Sequence, residues 1–283
     1  MIYIILSMLL FSLNNVLWKK NIQHTSIPFL VGYRALMTSS ISLFIAFYYF
    51  GATNLFDFPL LKITIGSLFG VLGLFCMLFA IKKAPLQWLG IYNLIGIVFT
   101  AIYLLFYEKI AITASALGFV LIVLGFLSYL YFNRENSVKV SIKQHMFLLL
   151  MTLSFSTSSL IHWKNLSAKV PAIVLISNQE LVVFLTALLV VLVAKKQEKM
   201  GNELKVNFMK VLIMALIIFF ALLFSFLGLK ITNPIVSSLL FLANPLTTIA
   251  FSAIFFKETF SVKNLIALFL ISIGAFIIHM QSV

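Results

Sequence analysis

Two ionisable side chains stand inside long apolar runs, Arg34 after Pro28 and Glu180 after Pro171. A charge near the centre of a bilayer costs at least about 2.5–3.5 kcal/mol, so such a group faces a cavity or a partner. Arg34 is six residues past its proline, roughly 9 Å along a helix, and Glu180 nine past its own, roughly 13–14 Å. If the two helices enter from opposite faces of a core about 30 Å thick, the groups stand roughly 7–8 Å apart in depth. An arginine there can hold an anionic group, and a glutamate can hold an ammonium or exchange a proton. Together they can hold both ends of one small zwitterion. The same residues can instead form a buried ion pair that fixes helix packing, or Arg34 can reach back to the interface.

Amides and hydroxyls cluster in the same kind of run. Asn14 and Asn15 follow Ser12. Tyr92, Gly96, Thr100 and Tyr103 fall on one helical face with Asn93 beside it. Asn178 and Gln179 precede Glu180, and Ser237, Phe241, Asn244, Thr248 and Ser252 share another face. A further cluster comprises Ser154, Ser156, Thr157, Ser158 and Ser159. Such groups can read a polar ligand in a hydrated cavity, or simply bond helix to helix. The substrate-binding set expected from this reading is Asn14, Asn15, Arg34, Tyr92, Asn93, Asn178, Gln179, Glu180 and Asn244, with Glu180 as the proton-coupling candidate.

Other chemistries lack their signatures. The sequence has no phosphate-binding glycine loop, no His-Glu-x-x-His and no aspartate cluster for a metal-dependent transferase. Its four histidines, at 24, 145, 162 and 279, form no ligand pair, and Cys76 is the one cysteine. No metal, cofactor or catalytic residue is expected, and nothing points to ATP as an energy source. His162, next to Trp163, reads as interfacial.

The elements that must carry these residues follow from composition. Of 283 residues, 63% are hydrophobic and 10% charged, and mean hydropathy is +1.15. Soluble domains are about 45–50% apolar. The net charge of +13 sits in links between apolar runs, which suits membrane flanks and not nucleic acid. Ten runs approach the roughly 17–25 residues a spanning helix needs: 2–18, 28–50, 63–81, 85–106, 112–132, 146–163, 171–194, 209–229, 234–256 and 262–280. The first reads as a span and not a removable leader. The runs are continuous, not alternating, which favours helices over a barrel. Trp18, Trp88 and Trp163 fall at predicted helix ends, as an interfacial belt would place them. Glycines at 66, 70 and 73, and at 118 and 125, read as close-packing faces. Alternate links carry 14 and 5 of the Lys and Arg residues, which puts both termini outside the cytoplasm by the positive-inside rule.

The chain also repeats itself. Residues 102–126 and 251–276 each run from aromatics through Glu108 or Glu258 and a polar start to an apolar helix with a late Gly125 or Gly274. Phe11-Ser12 and Lys20-Asn21-Ile22 answer Phe155-Ser156 and Lys164-Asn165-Leu166. An odd number of spans per unit inverts one half relative to the other. Glu108 and Glu258 read as helix-start caps favoured by the local dipole.

This doubled pattern, with Asn244-Pro245-Leu246 leading to Phe256-Lys257-Glu258, resembles the EamA-type branch of the drug/metabolite transporter superfamily. The resemblance implies an all-α polytopic membrane protein of ten transmembrane helices in two inverted five-helix repeats, residues 1–135 and 144–283. It implies a cavity lined by helices 1–4 and 6–9, with helices 5 and 10 peripheral. Relatives carry amino acids, other metabolites, nucleotide-linked sugars or drugs, and many have cytoplasmic termini, against the charge count; the side of the termini stays open. The expected activity is secondary transport of a small polar or amphipathic metabolite by alternating access in the plasma (inner) membrane. Its expected partners are a small-molecule substrate and the lipid bilayer, as a monomer or homodimer. Two rivals are an intramembrane enzyme, which needs several catalytic groups at one depth, and a scaffold without a hydrated cavity.

Overall fold

The computed structural model describes residues 2–23, 25–84, 87–109, 116–132, 140–193, 208–232, 234–256 and 262–281. Among them there are helices and no strands. In chain order they are α1 (Ile2–Asn21), α2 (Ile27–Asn54), a 3₁₀ turn (Leu55–Asp57), α3 (Leu60–Ile81), α4 (Gln87–Phe106) and α5 (Ala116–Phe132). Then follow α6 (Ile142–Ser167), α7 (Ala172–Val193), α8 (Phe208–Ile231), α9 (Pro234–Leu240), a 3₁₀ turn (Phe241–Ala243), α10 (Asn244–Phe256) and α11 (Val262–Gln281). Six of these (α1, α2, α3, α6, α7 and α8) are long and apolar enough to cross a membrane, and shorter apolar helices run within the rest.

Local chemistry sets the ends. Ser141 and Gln144 form a capping box at the start of α6: Gln144 N donates to Ser141 Oγ, and Ser141 N donates to Gln144 Oε1 at 2.8 Å. Such a cap contributes about 1 kcal/mol. Near the end of α2, Gly51 takes φ 71°, a left-handed backbone turn that glycine accepts at no steric cost. The ninth run is not one helix, as its apolarity suggests, but α9 and α10 joined by the 3₁₀ turn. A proline at 245 has no N–H to give the carbonyl four residues back, so the α-helical ladder fails there.

Helix association within lipid rests on close packing and interhelical hydrogen bonds, since lipid tails are as apolar as the side chains. Accordingly α3 meets α6 through glycines. A Cβ on Gly73 would fall 2.7 Å from the Phe155 ring, and one on Gly66 2.9 Å from Ile161. Ser158 Oγ donates to Gly66 O at 2.8 Å across the same seam. Residues rise along α3 as they fall along α6, so the two helices are antiparallel. The pair α4 and α6 is parallel, with Thr152 Oγ1 bonded to Tyr92 O and Ser156 Oγ to Gly96 O.

The other large contacts join α2 to α7, α1 to α8 and α5 to α11. The last is reciprocal. Gly125 abuts Ile271 and Ala267, while Gly274 abuts Ile122 and Gly118. Each member of one triplet lies the same number of residues from its counterpart in the other.

Candidate functional site

A cavity of about 290 Å³ opens between α1–α4, α6–α8 and the broken ninth span. Among the described residues, α5 and α11 contribute nothing to its wall. Arg34 and Glu180 meet on it. Arg34 Nη1 donates to Glu180 Oε2 at 2.5 Å, with both side chains 2% exposed. The Arg34 guanidinium also lies 5.8 Å over the ring of Trp18, and its Nε has no hydrogen-bond partner in the protein. The long reach of both side chains closes the depth gap that their helical positions leave.

The helix break supplies the second polar group. Asn244, the first residue of α10, faces α1 and the cavity. Its Oδ1 accepts from Ser12 Oγ at 2.7 Å, Thr248 Oγ1 at 3.2 Å and Asn15 Nδ2 at 3.3 Å. Ser12 further hydrogen-bonds Thr247. This network ties α1 to α10 at the point where the ladder fails. Beside it Asn14 Oδ1 is buried with no partner in the protein.

Of the residues singled out in the sequence, Asn14, Asn15, Arg34, Asn93, Gln179, Glu180 and Asn244 lie on the cavity wall. Two do not. Tyr92 turns away and its hydroxyl pairs with His145 Nδ1 at 2.9 Å, with Trp88 edge-on to the same imidazole. Asn178 turns to α3, where Ser67 Oγ donates to its Oδ1 at 2.8 Å and its Nδ2 donates to Thr64 at 3.0 Å.

Two expectations are corrected. His162 is not interfacial: it is 1% exposed and on the cavity wall, with neither ring nitrogen bonded to protein. Trp18 is not part of an interfacial belt, since its ring is 1% exposed beside Arg34. Among the described residues, Glu108 pairs with Lys164 Nζ of α6 at 2.6 Å and accepts from Tyr103 at 2.9 Å. Both partners hold its carboxyl below the usual carboxylate range, Lys164 first. Glu258 lies outside the described residues. The signal for His162 and Trp18 was present: the repeat register that aligns Lys20 with Lys164 sets Trp18 opposite His162.

The arrangement can hold a small molecule against one mutually neutralised ion pair, several amides and hydroxyls, and aromatic faces such as Phe11, Phe155 and Phe241. No His, Cys, Asp or Glu cluster among the described residues has the make-up of a metal site.

Comparison with known proteins agrees with this architecture. The EamA-like transporter family matches residues 143–280. A solved structure described only as "Crystal structure of protein" shares the fold, with a TM-score of 0.76 at 16% identity over 99% of this chain and 97% of that one. No curated protein matches the sequence.

Proposed function

We propose that the whole chain is a secondary transporter with its substrate site at the Arg34–Glu180 pair, a reading that the match of residues 143–280 to the EamA-like transporter family supports. That match, with six described helices long and apolar enough to cross a membrane, supports a multi-pass membrane transporter. The substrate class, the site and the mechanism are our reading.

The ion pair on the cavity wall carries it. Two buried opposite charges lose most of their hydration, and removing one partner costs about 3–5 kcal/mol because the other is left uncompensated. A monovalent ligand therefore opens the pair at a loss. A zwitterion does not: its anionic group takes Arg34 while its ammonium takes Glu180, and both charges stay matched. A small amphipathic zwitterion, an amino acid or similar, is the ligand that 290 Å³ and one cation–anion pair suit. Polyanions such as nucleotide-linked sugars would need more cations than this wall offers. Glu180 can alternatively take a proton when the substrate leaves, which would couple transport to a proton gradient.

Alternating access is the mechanism we infer, through two inverted repeats, residues 1–135 and 144–283. The antiparallel α3–α6 seam supports it, because adjacent spans alternate and α6 then runs opposite to α1. The reciprocal contacts of Gly125 with Ile271 and of Gly274 with Ile122, self-complementary as a two-fold axis requires, support it too. We place the chain in the plasma (inner) membrane, as a monomer or homodimer, without enzymatic activity.

The test is uptake of radiolabelled amino acids into proteoliposomes. Arg34→Ala and Glu180→Gln should each abolish uptake that the parent chain shows. Normal uptake by either variant, correctly inserted, would remove the pair from the mechanism.

A further inference from the structure

Arg34 and Glu180 pair with one another, but the imidazole of His162 on the same wall has no such partner. It is 1% exposed, its Nδ1 and Nε2 make no hydrogen bond to protein, and the Phe226 ring packs edge-on against it at 5.2 Å. A neutral imidazole always presents one N–H donor and one lone-pair acceptor. Leaving either unmet in an apolar setting costs about 1–3 kcal/mol. His145, by contrast, has its Nδ1 paired with the Tyr92 hydroxyl at 2.9 Å.

Its place relative to the ion pair follows from the α3 contacts. A Cβ on Gly70 would meet both Ser158 Oγ, at 3.2 Å, and Gln179 Nε2, at 3.7 Å, so Ser158 is level with the neighbour of Glu180. His162 is one helical turn beyond Ser158 on α6, about 6 Å along the bundle. That distance separates the charged end of a small metabolite from a polar group on its body. Repeat register adds a reason for the residue type. Where the first half has Trp18, whose indole fills space against Arg34, the second half has the smaller imidazole.

We propose that His162 is a ligand contact and the specificity-determining residue of this cavity: it hydrogen-bonds an uncharged polar group on the substrate's body, while Arg34 and Glu180 hold its two charges. The ligand is thus a zwitterion that bears a hydroxyl or amide about one helical turn from its charged centre. The inference rests on the transport reading above.

The experiment compares the full chain with His162→Phe and His162→Gln in proteoliposomes, using radiolabelled L-glutamine, L-leucine and L-valine. Phenylalanine keeps the ring volume and removes both polar atoms, and glutamine restores a donor and an acceptor. His162→Phe should lower glutamine uptake about tenfold relative to leucine and valine, the worth of one hydrogen bond. His162→Gln should recover most of that selectivity. An equal fall for all three, or no change in their ratios, overturns the role of His162 alone. No uptake of any of the three by the parent chain overturns the zwitterion reading on which it rests.

Discussion

Arg34 of α2 donates a 2.5 Å hydrogen bond to Glu180 of α7, and the two charges neutralise one another on the wall of the one cavity that the proposed site occupies. Structure and function can be separated here by removing charges singly and together. Glu180→Gln or Arg34→Met should each destabilise the protein by about 3–5 kcal/mol, since an uncompensated charge stays buried. The double variant Arg34→Met with Glu180→Leu should recover most of that loss, because no charge is left to desolvate. It should still fail to transport. Thermal unfolding in detergent and proteoliposome uptake measure the two parts, and transport by the stable double variant would make the pair purely structural.

The contact between α5 and α11 leaves no room for one methyl group. A Cβ on Gly274 would come 2.6 Å from Gly118 O, and one on Gly125 2.9 Å from Ala267 O. Backbone cannot rotate aside as a long side chain does, so Gly274→Ala and Gly125→Ala should each cost about 1–3 kcal/mol. Gly32→Ala is the control: its Cβ would meet Ala187 Cβ at 3.3 Å, a side-chain contact that a small shift relieves. Melting curves of the three variants give the comparison, and equal losses in all three would contradict the packing argument.

Much of this was legible in the sequence, for a physical reason. Lipid tolerates only long apolar runs of helix, so the spans announce themselves, and a charge within one is too costly to be incidental, so Arg34 and Glu180 stand out. The break before Asn244-Pro245 was not read, because the apolarity of 234–256 suggested one continuous span. Rotation about a helix axis was not legible. Successive residues turn by 100°, so Asn178 faces α3 while Gln179 faces the cavity. In a soluble helix the polar face marks that rotation. Here lipid and protein neighbours are equally apolar, and the sequence gives depth without direction. By the same rotation Tyr92 faces His145 while Asn93 faces the cavity. His162 and Trp18 were misplaced because aromatic residues near span ends resemble an interfacial belt whichever way they point.

Glu108 offers a pH test away from the cavity. Lys164 and Tyr103 depress its carboxyl in the folded state. A depressed carboxylate contributes stability that is present above its unfolded value, about 4.3. That contribution is lost as pH falls through the lower folded value. Glu108→Gln should therefore lower the melting temperature at pH 7, and the gap from the parent chain should close as pH drops below about 4. A gap that is constant with pH would show that the Lys164 ion pair contributes nothing.

Asn244 Oδ1 accepts from Ser12, Asn15 and Thr248 at the helix break. Asn244→Ala takes this acceptor from Asn15 and Thr248, at about 1–3 kcal/mol, and loosens α1 from α10, while Ser12 keeps the Met8 carbonyl and Thr247. Asn244→Asp keeps the acceptor and should retain more stability than the alanine variant. Uptake should follow a different order. Aspartate adds a second anion to the wall that carries Glu180, so it should impair transport even where it folds. Matching losses of stability and uptake across both variants would reduce Asn244 to a structural residue.

Cysteine scanning separates the cavity wall from the helix seams one residue at a time. With Cys76 replaced by serine, single cysteines at positions 14, 93, 179 and 244 would stand on the wall. A cysteine at 178 would stand in the α3–α7 seam, where Asn178 bonds Ser67 and Thr64. A water-soluble thiol reagent reacts with thiolate, which forms only where water reaches. The four wall positions should label and position 178 should stay protected, although 178 and 179 are adjacent in the chain and nearly equal in depth. A scaffold packed without a hydrated pathway would protect all five. Labelling at 178 as fast as at 179 would mean that α7 is rotated from the orientation described, and with it the face that presents Glu180.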